Sequence, residues 1–264
     1  LLVQGGYAVQ KMSDAKLDRR LYYDSRKGQR GKTYSEVGGF VDERDLDWSI
    51  LNIRREEASK WDACHLNLCE VAARACRNAG FDPLNLPSRK IGVFVGHSGG
   101  TTLGGDLAYR AMLDEYIDLL TRLPSFQELG GANRGYPESD GTELLRRLQQ
   151  ELYGKLSEGR PHRAGAAPFV DAGFASGLIS RNFGLTGPHI SVDAACASSL
   201  VALAIGAMSL ASGHSDMAIV GGASYNKTDS LILFSAAQSC SADRSRPFDQ
   251  NADGLISSEG YVAV

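Results

Sequence analysis

The chain has 264 residues, of which 28 are Lys or Arg, 31 are Asp or Glu and 43% are apolar, for a formal charge of −3. That length and apolar share suffice for a packed core, which excludes a disordered chain and a disulfide scaffold, and the slight negative balance excludes a surface built to hold nucleic acid. No apolar run reaches the roughly 18 residues of a membrane span, the start Leu1-Leu2-Val3-Gln4 has no signal-peptide core, and five cysteines without C-x-x-C spacing read as reduced thiols in a cytoplasm rather than disulfides or a zinc site.

In chain order, the first fifty residues are polar and rich in Gly, Lys and Asp, and read mostly as loop. From Arg54 to Asn78 the apolar positions Ala58, Trp61, Leu66, Leu68, Cys69, Val71, Ala72 and Ala75 recur at helical spacing, and Gly80 and Pro83 supply the stop, so one long helix is expected. Ile91-Gly92-Val93-Phe94-Val95-Gly96 has the pattern of a strand covered on both faces. Residues 103–165 differ in texture: two amphipathic helices, about 104–123 and 141–157, flank a Pro/Gly-rich stretch, and together they read as a cap-like insertion over the sheet.

A helix from about Phe169 to Phe183 follows, stopped by Gly184, Gly187 and Pro188. Next come a buried strand His189–Asp193, a helix beginning at Cys196 and running to Ser212, and a strand Asp216–Gly222. Strands alternating with helices of this length predict β-α-β units, a parallel sheet and an α/β fold class. Gly260–Val264 looks like a strand just beginning, so the chain reads as a fragment of a longer domain.

The sharpest chemical feature is Ser191-Val192-Asp193-Ala194-Ala195-Cys196-Ala197-Ser198-Ser199-Leu200. A strand turns tightly through small residues, and the cysteine falls where the next helix begins. Unpaired backbone N–H groups and the helix dipole there favour a thiolate, while the small neighbours leave room for a substrate carbonyl. The plainer alternative is a small apolar residue in the core. Cys64, Cys69 and Cys76 share one helix, where packing is the expected role, and Cys240 lies in an irregular polar stretch.

A competing nucleophile is Ser98, in Gly96-His97-Ser98-Gly99-Gly100, which matches the G-x-S-x-G elbow of α/β-hydrolases after a strand. The loose glycines beyond it and the lack of a suitably placed downstream His count against it. Asp249–Gly254 resembles the first half of a calcium loop, but Gly260 stands where the bidentate Glu belongs, so no metal site is expected. Asn226-Lys227-Thr228 is a sequon on paper only, and there is no Walker motif and no dinucleotide fingerprint.

The run Val192–Leu200 resembles the active-site segment of β-ketoacyl synthases, the condensing enzymes of fatty-acid and polyketide assembly. Gly221-Gly222-Ala223, Phe234-Ser235-Ala236-Ala237 and Arg246-Pro247-Phe248-Asp249 through Ala252-Asp253-Gly254 to Glu259-Gly260 look like that family's landmarks in order. Lys32-Thr33-Tyr34 with Gly38-Gly39-Phe40, and Gly92–Gly96, look like the modular polyketide or polyunsaturated-fatty-acid synthase branch. The resemblance spans nearly the whole chain and reassigns Gly96–Gly100 to a strand end, which weakens the hydrolase reading.

The resemblance implies a thiolase-like layered fold, of which residues 1–264 form the N-terminal part of one domain, and a homodimer. It implies that Cys196 takes an acyl chain from an acyl carrier protein, that a malonyl unit then loses carbon dioxide, and that its carbanion lengthens the chain. Phe234 falls where the family carries an aromatic gate, and Ala195 and Ala197 flank the nucleophile on the substrate side. No cofactor is implied beyond the phosphopantetheine arm carrying the substrates. The family's two catalytic histidines belong to motifs further downstream, and none of His65, His97, His162, His189 or His214 sits in one. The isolated chain is therefore expected not to complete condensation. A catalytically silent dimerisation or chain-length module is the remaining alternative, against which the presence of Cys196 counts.

Overall fold

The structure, a computed structural model, describes residues 6–41, 46–58, 61–97, 112–124, 147, 148, 150, 151, 154, 172–225 and 228–264. The chain divides into two compact units, Leu1–Gly99 with Ala172–Val264, and Gly100–Asp171. In the second unit one helix is fully described, Leu113–Thr121. Asp114 and Glu115 stand in its first turn, where the helix dipole favours acids, and Asp118 pairs with Arg122 at 2.7 Å. Most of the expected helix 141–157 and the Pro/Gly stretch before it lie outside the described residues.

The first unit is built on a four-stranded sheet. Its strands, β3 (Ile91–His97), β4 (His189–Val192), β5 (Met217–Ser224) and β6 (Gly260–Ala263), lie in the order β4-β3-β5-β6. β3 runs parallel to both β4 and β5, while β6 closes the other edge antiparallel to β5. Every residue of β3 is buried, which accounts for its unbroken apolar run. β4 departs from the expectation of a buried strand: it is the edge strand, and His189 and Ile190 are exposed.

Side chains alternate across β3. Phe94 packs with Ala202 and Val220 on the face covered by the helix Ser198–Ala211, whereas His97 meets His65 of the helix Ala63–Asn78, the rings crossing edge to face at 5.6 Å. A Cβ on Gly206 would stand 2.7 Å from the Val220 methyl, so glycine lets the Ser198–Ala211 helix lie close on the sheet. This helix is apolar all round, and while Ala202 and Gly206 face the sheet, Leu200 and Met208 are 70% and 69% exposed.

The single helix expected over Arg54–Asn78 is two, Arg55–Ala58 and Ala63–Asn78. The break follows from Asp62, whose carboxylate accepts the Cys64 N–H at 2.8 Å and caps a new helix start. At the far end Gly80 takes φ +85° and the Phe81 N–H reaches the Cys76 carbonyl at 2.9 Å, closing the helix as the sequence predicts. The described part of the expected Phe169–Phe183 helix spans Phe174–Asn182.

The first fifty residues are more ordered than a loop. β1 (Val9–Lys11) pairs antiparallel with β2 (Val37–Gly39), a short helix Arg19–Tyr22 is capped by Asp18, and a 3-10 turn spans Trp48–Ile50. The segment has its own core: Met12, Leu17 and Tyr34 pack with Leu231 and Cys240, with Phe40 against them. Its apolar residues are too widely spaced for a helix or strand period, and the partners that bury them lie some 200 positions away, beyond any local pattern.

Candidate active site

The site forms at the C-terminal ends of the parallel strands, where open α/β sheets place their ligand crevices. Gly96 stands in register between Val192 of β4 and Gly222 of β5. The chain leaves β4 at Val192, turns, and enters the helix Ser198–Ala211 directly over these glycines. A Cβ on Gly222 would sit 3.0 Å from Cβ of Ser199, and one on Gly96 would run into the Ser198–Ser199 backbone. Glycine at both positions is what brings the helix start down onto the sheet.

The turn between strand and helix is tied by two side chains. Asp193 accepts the Ala195 N–H at 3.0 Å. The Ser198 hydroxyl accepts the Ala194 N–H at 2.9 Å and donates to the Ala195 carbonyl at 2.6 Å. Ala195 itself has φ +50°, the left-handed region that residues with a Cβ seldom occupy, held there by these bonds. Cys196 is exposed, in a 3-10 turn Ala195–Ala197, and the α-helix begins at Ser198, two residues later than the sequence places it.

Cys196 opens onto a cavity of about 420 Å³. Its walls are the turn and helix start holding Ala195, Cys196, Ser198 and Ser199, together with Gly96, the end of β5, Gly260 and Val262 of β6, and Phe234 of the helix Thr228–Ala236. Cys196, Ala195 and Phe234 are thus brought to one cleft, and Phe234 is 41% exposed there. Ala197 is exposed beside them but does not line it.

Among the described residues no histidine lines the cleft. His97, the last residue of β3, and His65, packed against it, are both buried, His189 is on the exposed edge strand, and His214 follows the far end of the Ser198–Ala211 helix. Ser98 and His162 lie outside the described residues, as do Asn226 and Lys227 of the sequon. The Asp249–Gly254 stretch spends its carboxylates locally: Asp249 accepts from its own neighbour Asn251, and Asp253 pairs with Arg246 at 3.0 Å. Among the described residues no group of three His, Cys, Asp or Glu side chains is placed to hold a metal ion.

The remaining cysteines are all buried. Desolvation pushes the thiols of Cys69, Cys76 and Cys240 upward, in Cys240 against a lowering hydrogen bond from Ser235. Cys240, from a stretch that reads as irregular and polar, belongs to the core shared with the N-terminal segment.

Sequence reasoning missed the work of Ser198 and Gly96. Ser198 counted only as a small residue, although a serine three positions after Ala195 is spaced to bond back to its carbonyl. Gly96 stood as a strand end and as the first glycine of the G-x-S-x-G match, and its contact with Ser199 joins residues about a hundred positions apart.

Comparison with known proteins bears on the whole chain. The family description "Beta-ketoacyl synthase, N-terminal domain" matches residues 1–264. The polyketide synthase GfsA of Streptomyces halstedii is 32% identical over 256 residues, covering 96% of this chain and 3% of that protein. The erythronolide synthase EryA2 of Saccharopolyspora erythraea is 33% identical over 237 residues, covering 89% of this chain and 5% of that one. The chain spans a small fraction of the length of these curated relatives. Among solved structures, a β-ketoacyl synthase from Burkholderia phymatum STM815 superposes with a TM-score of 0.67 at 17% identity, over 98% of this chain and 52% of its own. That likeness establishes the thiolase-like fold.

Proposed function

The chain belongs to the β-ketoacyl synthase family, and from that premise we propose that Cys196 is the nucleophile that accepts an acyl chain for decarboxylative condensation in polyketide or fatty-acid assembly. The observation carrying this reading is the exposed Cys196 thiol, on a turn fixed by Asp193 and Ser198, at the mouth of a cleft of about 420 Å³. The donor is an acyl thioester on the phosphopantetheine arm of an acyl carrier protein. The Cys196 sulfur attacks the thioester carbonyl, a new carbon–sulfur bond forms, the bond to the arm breaks, and the proton ends on the released arm thiol. A malonyl thioester then loses carbon dioxide, its carbanion attacks the Cys196 thioester carbon, and Cys196 leaves as thiolate.

Phe234 is the aromatic wall against which the acyl chain lies, and Ala195 leaves space for the carbonyl at the sulfur. With no histidine among the described residues lining the cleft, this reading has the groups that assist decarboxylation come from elsewhere, and it expects the 264 residues alone not to complete condensation. The reading takes a homodimer in a cytoplasmic compartment. The exposed edge strand β4 and the uncovered apolar face of the Ser198–Ala211 helix support an assembly larger than this chain. No helix among the described residues is long and apolar enough to cross a membrane.

Incubation of the intact protein with an acyl-loaded carrier, followed by peptide mapping, tests the assignment. An acyl thioester on Cys196 that disappears in Cys196→Ser supports it. An adduct on Ser98 would favour a hydrolase or acyltransferase, and no adduct at all would favour a silent dimerisation or chain-length module.

A further inference from the structure

Phe234 reaches the cleft from a helix, and the residues fastening that helix lie at the other end of the sequence. Leu231 and Ser235, one turn apart, form the buried stripe of the Thr228–Ala236 helix. Leu231 packs among Met12, Leu17 and Tyr34. The Ser235 hydroxyl meets the Thr33 hydroxyl at 2.8 Å, with both residues fully buried. Thr33 is itself fixed, since its hydroxyl donates to the Ser35 carbonyl at 2.9 Å and accepts the Ser35 N–H at 3.0 Å. One step further on, the Tyr34 hydroxyl donates to the Cys240 carbonyl at 2.8 Å, pinning the chain beyond the helix end. The Phe234 carbonyl is held too, by the Ser239 N–H at 3.0 Å and the Ser239 hydroxyl at 2.9 Å.

A helix held by one apolar stripe can still roll about its axis, because dispersion contacts are not directional. A buried hydrogen bond is directional and costly to leave unmade. Since Phe234 is adjacent to Ser235 on the helix, the Thr33–Ser235 bond fixes how far the Phe234 ring leans across the cleft toward Cys196. We propose that Thr33 is a positioning residue for Phe234, and that through Ser235 it sets which acyl chains the cleft accepts. This inference rests on the reading of Cys196 as the acylated nucleophile and of Phe234 as the wall of its cleft.

The test is a double-mutant cycle in the intact protein. Thr33→Val keeps the shape and removes the hydroxyl; Ser235→Ala removes the other partner and serves where Thr33→Val fails to fold. Each is combined with Phe234→Ala, and acylation of Cys196 is measured across acyl thioesters of increasing length, with kcat and KM separated. The selectivity between short and long chains should shift about fivefold in either hydroxyl variant, the fold-change that corresponds to one net hydrogen bond. It should not shift further when the same change is made in Phe234→Ala. A shift of equal size with and without Phe234, or unaltered selectivity in the hydroxyl variants, overturns the proposal. Absence of acyl on Cys196 in the unsubstituted protein overturns instead the reading beneath it.

Discussion

Gly96 and Ser199 meet backbone to backbone: a Cβ on Gly96 would stand 2.5 Å from the Cα of Ser199. The contact couples the central strand β3 to the first turn of the helix that follows Cys196, so the height of Cys196 above the sheet is set by the absence of one methyl group. Gly96→Ala should push the helix start outward, because the atoms it meets are main chain and cannot swing away. A loss of about 1–3 kcal/mol is expected in thermal unfolding, as for an overpacked core, together with a marked fall in the rate of Cys196 alkylation. An unchanged melting temperature would mean that the helix start moves freely over β3.

Ser198→Ala removes the hydroxyl that ties Ala194 to Ala195 and leaves the left-handed Ala195 with less to hold it. The residue is nearly buried, so the abandoned N–H and carbonyl cost about 1–3 kcal/mol. The sharper expectation concerns Cys196: with the turn relaxed, its acylation slows while substrate affinity is kept. Single-turnover acylation separates these, and a change confined to KM would assign Ser198 to substrate binding instead.

The cysteines should divide by burial. Desolvation raises the thiols of Cys69, Cys76 and Cys240 above their ordinary 9.0, so at about pH 8 they stay protonated and unreactive. Cys64 is shielded by burial, and Cys196 alone is exposed. Iodoacetamide on the folded protein should therefore label Cys196 first, and raising the pH by one unit should not recruit the other four. Labelling of Cys69 or Cys240 at the rate of Cys196 would contradict the packing described above.

How far the sequence speaks for the structure depends on whether a feature is local. The α/β alternation, the all-buried β3, the Gly80 helix stop and the turn at Cys196 are written in short periods and small residues, and all are found in place. The exposed position of β4 is not legible, because strand order is a relation between segments, and a short run such as His189–Val192 reads the same at an edge or in the centre. The helix break at Asp62 was legible in principle: an Asp inside an apolar period is a capping residue as readily as a surface one. The N-terminal segment stayed opaque for a different reason. Thr33 and Tyr34 acquire their meaning from Ser235 and Cys240, and no pattern within a window of twenty residues connects them.

The same segment carries a charge into a nearly closed place. Lys16 pairs with Glu259 at 2.7 Å, with the Lys16 side chain 31% exposed and that of Glu259 only 4%. The Lys16 ammonium also lies 5.6 Å from the ring centres of Phe40 and Tyr225, and the second Glu259 oxygen accepts the Val41 N–H at 3.3 Å. Glu259 immediately precedes Gly260, where β6 joins the cleft wall, and the Lys16 carbonyl accepts the Thr228 hydroxyl at the start of the helix bearing Phe234. Lys16→Met leaves a buried carboxylate without its cation, which should cost about 1–3 kcal/mol once the partial exposure of Lys16 is allowed for. Glu259→Gln keeps an acceptor for Val41 and should cost less. Combined, the two substitutions should restore part of what Lys16→Met loses, because the uncompensated charge is gone. Thermal unfolding of the three variants decides the matter: strictly additive losses would mean that Lys16 and Glu259 stabilise the fold separately and that their pairing does not hold β6 to the N-terminal segment.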